Sequence, residues 1–338
     1  MGKATFVLIA ISLYVLVENF NFFGEELSEN RQLSKFFRTE DNTVVKIADA
    51  DGKKCRIPLA LPKSVDQPVI VASYPGSGAK LTWKLVRAIT GIMTGDDHDH
   101  NGLVEKKQVA TIKTHYPSQI DHPLFEKYRD IPRSILLLRN PVDAIPSLCN
   151  FIYEQKKGLP GHSTRTPLHE WQKWRDTHFE KELKNWVATV NYWMENYSNE
   201  NRLIVHYEHL IDGKWGPKEL QRLGRFLDES GIEKVPLAPQ VQDYPCVWNH
   251  VVRQPDDTPR NSLRRKGTSH SRFYTSLQVK MLRNELRRIR EKWPEELGPI
   301  MNEFLHGIND VIPEENMIPR LLRFYKPTLW KENTYKSL

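Results

Sequence analysis

Cysteine is scarce in this chain of 338 residues: Cys55, Cys149 and Cys246 are an odd number without zinc-type spacing. That scarcity excludes a disulfide framework and supplies no cysteine metal site. Long hydrophobic runs are missing too. The one extended apolar stretch, Ala4 to Val17, falls short of the roughly 20 residues that cross a bilayer upright, so a multi-span membrane protein is excluded. Neither charge sign dominates: 49 Lys and Arg against 42 Asp and Glu leave a formal net charge of +7. Nucleic-acid binders usually concentrate more cation, so this surplus suits an anionic ligand without deciding for one, and no nucleic-acid partner is expected. Internal repeats, low-complexity tracts and the GxxxxGK[ST] phosphate loop are absent as well. What remains, 39% hydrophobic and 27% charged residues, is an ordinary globular composition that excludes wholesale disorder and collagen.

The apolar stretch at the start has Lys3 before it and Glu18 and Asn19 after it, then a second aromatic cluster at Phe20, Phe22 and Phe23. Counted on to Phe23 it approaches a spanning length, and no small-x-small cleavage site follows. Residues 1–23 therefore read as an uncleaved signal anchor and membrane partner, with a cleaved signal or an interfacial helix as the alternatives. An anchor would keep the short Lys-bearing end cytoplasmic and the rest lumenal, a single-pass type II arrangement. The sequon Asn196-Tyr197-Ser198 is compatible with that compartment, although such triplets arise often by chance.

Residues 24–66 are polar, without a clear period, and read as a stem; 67–310 read as one domain and 311–338 as a tail. Within the domain, Pro68–Ser73, Val109–Lys113, Arg133–Leu138 and Arg202–His206 are short apolar runs expected to be buried strands. They alternate with helix-length segments, including Asn185–Tyr197 and Ser276–Trp293. That alternation argues for a single α/β domain with a central parallel sheet flanked by helices.

Four constellations carry chemistry. Ser73-Tyr-Pro-Gly-Ser-Gly78-Ala-Lys80-Leu-Thr82-Trp83 sits at a strand-to-helix junction, where backbone N–H groups and the helix dipole would cradle a phosphate; a plain tight turn is the alternative. Arg139, followed by Asn140-Pro141-Val-Asp143, ends a strand where a triphosphate hydrolase would carry a magnesium-binding Asp. A guanidinium there suits bidentate capture of a phosphate and repels a metal ion, unless it only caps a helix or pairs with Asp143. Lys113-Thr-His115-Tyr-Pro117 follows another strand and should share the same carboxyl edge, where His115 could take a proton near neutral pH. Arg265-Lys266-Gly267 lies in a stretch dense in cations and reads as a phosphate clamp or a solvated basic loop.

The order Tyr-Pro-x-Ser-Gly, Thr-Trp, Lys-Thr-His-x-Pro, Arg-Asn-Pro-x-Asp with a Ser eight residues after the Arg, then Arg-Lys-Gly, resembles the sulfotransferases that use 3′-phosphoadenosine 5′-phosphosulfate (PAPS). The resemblance covers Val69 to about Ile289, and the anchor and stem are similar to the layout of Golgi sulfotransferases. It implies a P-loop nucleotide-binding fold, PAPS as sulfuryl donor and no metal. It further implies that Gly76, Ser77, Gly78 and Thr82 face the 5′-phosphosulfate and that Trp83 lies near the adenine, with Tyr207 also near it. Arg139 and Ser147 would hold the 3′-phosphate together with Arg265, Lys266 and Gly267. Lys113 would line the sulfuryl group, and His115 would be the base. Two departures stand out: Gly76 occupies the place of the family's phosphate-loop Lys, and Ala79 and Lys80 are extra residues before Thr82-Trp83. Either Lys80 supplies the missing charge or that role falls to Lys113.

Moving a sulfuryl group to a hydroxyl needs the acceptor proton removed, the spreading charge stabilised and the leaving phosphate neutralised. His115, Lys113 and the 76–82 turn answer those needs. A non-catalytic nucleotide-binding protein of the same fold is the alternative; a P-loop kinase is disfavoured by the missing Walker spacing and by Arg139. The acceptor is a glycan, a peptide or a small molecule. Tyr153–Trp174, which mixes Lys156, Lys157, His162 and Arg165 with Trp171 and Trp174, is expected to be a loop on its side.

Overall fold

A computed structural model describes residues 44–48, 54–99, 102–118, 125–229, 243–253, 273–309, 311 and 313. The expected anchor, most of the stem and tail, and the Arg265-Lys266-Gly267 clamp lie outside the described residues. The strands are β1 (Val44–Ala48), β2 (Lys54–Pro58), β3 (Val69–Ser73), β4 (Gly95–Asp96), β5 (Thr111–Thr114), β6 (Ser134–Leu138) and β7 (Arg202–His206). The α-helices are α1 (Ala79–Thr90), α2 (Pro141–Lys156), α3 (Leu168–Asn196), α4 (Tyr207–Leu210), α5 (Gly216–Asp228), α6 (Tyr244–Trp248), α7 (Ser276–Lys292) and α8 (Gly298–Asn309).

Among the described residues the main sheet runs β4-β5-β3-β6-β7, and every pairing in it is parallel. Its centre explains its sequence. β3 pairs on both sides and is covered on both faces, so all five of its residues are buried and the run is continuously apolar rather than alternating. Ile70 and Ala72 face one core, shared with α2, α3, α7 and α8; Val69 and Val71 face the other, shared with α1, α5 and α6. The strand order reverses at β3, since β5 adds on one side and β6 on the other. A crevice outside the carboxyl ends at such a switch point is where open α/β sheets bind ligands.

Three findings differ from the sequence expectations. First, α3 is one helix of 29 residues rather than a segment starting at Asn185. Trp171, Arg175, Phe179 and Leu183 are buried at a spacing of four, but charged Arg175 interrupts the apolar stripe. It is accommodated because its Nη1 donates to the Phe273 carbonyl at 2.7 Å. Trp171 is therefore a core residue, and only 157–167 remains as a loop between α2 and α3. Second, β1 and β2 form an antiparallel hairpin inside the stretch read as a periodless stem. Third, a disulfide does form, between Cys55 on β2 and Cys246 on α6. The two lie 191 residues apart, and the packing of α6 against β2 brings them together, which spacing arithmetic cannot show. Cys149, buried on α2, is in no disulfide, and desolvation pushes its thiol up to about 12, so it is no nucleophile near neutral pH.

Candidate functional site

From Ser73 the chain turns through Tyr74-Pro75-Gly76-Ser77-Gly78 into α1. Gly76 at φ +85° and Gly78 at φ +97° hold conformations that L side chains rarely adopt. Space forbids a side chain as well. A Cβ on Gly76 would stand 2.6 Å from the Ala144 carbonyl oxygen and 2.9 Å from the Leu148 nitrogen, and one on Gly78 would enter the Tyr207 ring. A lysine therefore cannot stand at position 76 with α2 where it is, so the departure from the family pattern follows from close backbone packing. Between the glycines, the Ser77 N–H donates to the Tyr74 carbonyl at 3.1 Å. The Ser77 hydroxyl is 1% exposed and has no hydrogen-bond partner among the described residues. An orphaned buried hydroxyl beside two glycines at a helix N-terminus fits an anionic phosphate or sulfate group. Thr82, fully buried, directs its hydroxyl to the Gly78 carbonyl at 3.4 Å, and half-buried Lys80 sits in the first turn of α1.

Arg139 leaves the end of β6 and reaches this turn. Its Nη1 donates to the Gly76 carbonyl at 2.7 Å, and its guanidinium lies 4.5 Å from the centroid of the Tyr207 ring. The cap of α2 is the next residue, Asn140, whose side chain accepts from Val142 N at 3.1 Å, so Arg139 is not the helix cap. Ser147, two turns into α2, has its Cβ within 3.2 Å of where a Cβ on Gly76 would stand. Gly76 and Gly78, Arg139, Ser147 and Tyr207 thus converge from four parts of the chain.

β5 supplies the other arm. The His115 Nδ1 is 2.8 Å from the Ser73 carbonyl, which can only accept, so Nδ1 carries a proton and the lone pair of the neutral imidazole is on Nε2. Nearby bonds fix this loop: Thr114 donates to buried Asp97 at 2.6 Å, Tyr116 N donates to the Thr114 hydroxyl at 3.0 Å, and Trp193 donates to the Tyr116 carbonyl at 2.8 Å. Lys113 lies 4.9 Å from the Trp83 ring centroid, with Arg87 at 5.8 Å. Trp83 is 5% exposed.

Trp186, Glu208 and Glu182 support the site without having carried a motif signal. Trp186 donates to the Arg139 carbonyl at 3.1 Å, and Glu208 accepts from Asn140 N at 3.0 Å. Tyr74 donates to Glu182 at 2.9 Å, and desolvation first, then the Glu182 charge, hold its hydroxyl well above the usual tyrosine range. Only the Asn-Pro pair at 140–141 could have announced its role, as a cap followed by proline in the first turn. The His98-Asp99 stretch is a turn in which Asp99 accepts from Val104 N and Glu105 N, each at 2.8 Å.

Among solved structures the chain is similar to the mouse sulfotransferase SULT7A1 complexed with PAP, at 15% identity and a TM-score of 0.45, with 71% of this chain and 89% of that one covered. The sulfotransferase domain family matches residues 66–297, which hold the whole parallel sheet and both arms of the site, and the chain belongs to that family.

Proposed function

We propose that the chain transfers a sulfuryl group from PAPS to a hydroxyl of a carbohydrate or another acceptor, with His115 as general base. The observation that carries this reading is the His115–Ser73 hydrogen bond. It orients the ring at the end of β3 and leaves Nε2 as the basic nitrogen, beside the turn that carries the Ser77 hydroxyl, which has no partner among the described residues. When bound, PAPS supplies an activated sulfuryl group on a phosphate leaving group. The Ser77 hydroxyl and the N–H groups at the start of α1 would hold its 5′ end; Arg139 and Ser147 would hold the 3′-phosphate, with Tyr207 beside them. His115 Nε2 accepts the proton of the attacking hydroxyl as its oxygen bonds to sulfur, and the electron pair of the breaking S–O bond passes to the phosphate. Lys80, at the start of α1, answers the charge that grows on that oxygen, and Lys113 lines the sulfuryl group.

The catalytic reading gains over a non-catalytic one because Gly76 is required by packing and is no sign of lost function. We further propose a lumenal, Golgi-type placement behind the N-terminal anchor. The Cys55–Cys246 bond supports it, since disulfides persist in oxidising compartments, and Asn196 is exposed at the end of α3. Among the described residues no helix is long and apolar enough to cross a membrane. The testing experiment is transfer of radiolabelled sulfate from PAPS across glycan, tyrosyl-peptide and small-molecule acceptors. Label appearing on one class supports the proposal; PAPS binding without transfer to any class favours the non-catalytic protein.

A further inference from the structure

We propose that His206, His209 and Glu303 form a binding site for one divalent transition-metal ion, with Zn²⁺ as the best-matched probe. The sequence reading expected no metal, because these residues come from three elements: the end of β7, the short α4 and, some 94 residues on, α8. The fold brings one ligand atom from each within 4.8 Å of the others. The His209 Nε2 lies 2.9 Å and the His206 Nδ1 3.5 Å from the same Glu303 oxygen, and the two rings stand 4.2 Å apart. Around an ion held at about 2.0–2.1 Å by nitrogen and oxygen, tetrahedral ligand atoms stand roughly 3.3–3.4 Å apart, so small side-chain adjustments suffice. Two imidazoles and one carboxylate are a donor set that Zn²⁺ accepts with a fourth position open.

The second observation is the state of His206. It is 3% exposed, and neither of its buried ring nitrogens makes a hydrogen bond among the described residues. Each nevertheless faces a carboxylate: Nε2 lies 3.1 Å from Glu208 and Nδ1 3.5 Å from Glu303. A neutral imidazole has one N–H and one lone pair, so one of those carboxylates would meet a lone pair. An ion bound to Nδ1 removes the conflict, because the lone pair then faces the metal and Nε2–H faces Glu208. That is the arrangement in which an outer carboxylate orients a metal-bound histidine. Glu208 is itself fixed, since its other oxygen accepts from Asn140 N at 3.0 Å. His206 and His209 also line a cleft of about 590 Å³, which gives an ion a route in.

The experiment is calorimetric titration of the tag-free, chelator-treated full chain with ZnCl₂ near neutral pH, repeated for His209→Ala, Glu303→Gln and Glu208→Gln. The expected result is one Zn²⁺ per chain. Loss of either direct ligand should weaken binding at least tenfold, and Glu208→Gln should weaken it by about 10- to 100-fold, as outer partners do. Co²⁺ should give the visible absorption of a four-coordinate site in the wild type and lose it in His209→Ala. Glu303 is half exposed and Gln keeps its size, so Glu303→Gln decides the matter even if a histidine variant fails to fold. Absence of Zn²⁺ binding to the wild type, or equal affinity in Glu303→Gln, overturns the site.

Discussion

Around Gly76, backbone and side chains from the β3–α1 turn, β6, α2 and α4 meet in van der Waals or hydrogen-bond contact, and two positions admit nothing larger than hydrogen. Residues 157–167, between α2 and α3, are held differently. The carboxylate of Glu154, 1% exposed, accepts from His162 N at 3.0 Å and from Thr164 N at 2.8 Å, while Phe151, Leu159 and Leu168 are 37–41% exposed nearby in sequence. The Gly76 region is thus closely packed, whereas this loop is organised by two buried side chains of α2, Glu154 and Asn150, whose Oδ1 accepts from Thr166 N at 2.8 Å, and leaves apolar and cationic side chains facing water. A nucleotide donor common to every turnover suits the first construction; an acceptor read through exposed side chains suits the second. On this account, changes around Gly76 alter handling of the donor whatever the acceptor, and changes in 157–167 alter the acceptor alone.

The comparison breaks hardest at Gly76. Gly76→Ala combines a positive φ with a clash against α2, and each of those penalties is about 1–3 kcal/mol. Urea unfolding should show a loss of about 2–6 kcal/mol, and donor titration should show binding abolished; unchanged stability would mean that the turn rearranges freely. Next, His115→Ala should lower kcat by about 10²–10⁴-fold while the Kd for PAPS stays within error, because the base acts on the acceptor proton. Stopped-assay kinetics with a saturating donor read this directly, and retained turnover removes His115 from the mechanism. Lys80→Met should cost about tenfold in kcat and in kcat/KM together, the signature of a contact made only in the transition state; unchanged turnover moves the leaving-group role to Lys113. The smallest effect belongs to the loop. Glu154→Ala removes the acceptor of two backbone N–H groups and should raise the acceptor KM by about tenfold or less, the worth of one net hydrogen bond, without touching donor affinity. A weakened donor Kd in that variant would erase the distinction between the two regions.

Legibility follows the same division. β3 and β6 could be placed within a residue because strands covered on both faces must be continuously apolar, and the glycine turn after β3 is a local requirement that residue types express directly. β5 starts two residues later than expected and ends one later, since Val109 and Ala110 are apolar but precede the pairing. What could not be read depends on contacts distant in sequence. Cys55 gives no sign that Cys246 awaits it on α6, and Arg175 hides the length of α3 because its solvation is replaced by the Phe273 carbonyl. The reason for Gly76 lies in Ala144 and Leu148 of another helix. His206 looked like an ordinary strand end until α8 set Glu303 beside it.

The most direct test of the central claim, that this site holds a 3′-phosphorylated nucleotide, is a pair of titrations. Wild type and Arg139→Ala are each titrated with 3′-phosphoadenosine 5′-phosphate and with its 3′-dephosphorylated analogue. The account predicts that the substitution weakens the 3′-phosphorylated ligand by about 1.5–3 kcal/mol, the range of a hydrogen bond to a charged group, and leaves the analogue nearly unchanged. Equal losses for both ligands would contradict it and leave Arg139 as a structural link between Gly76 and Tyr207.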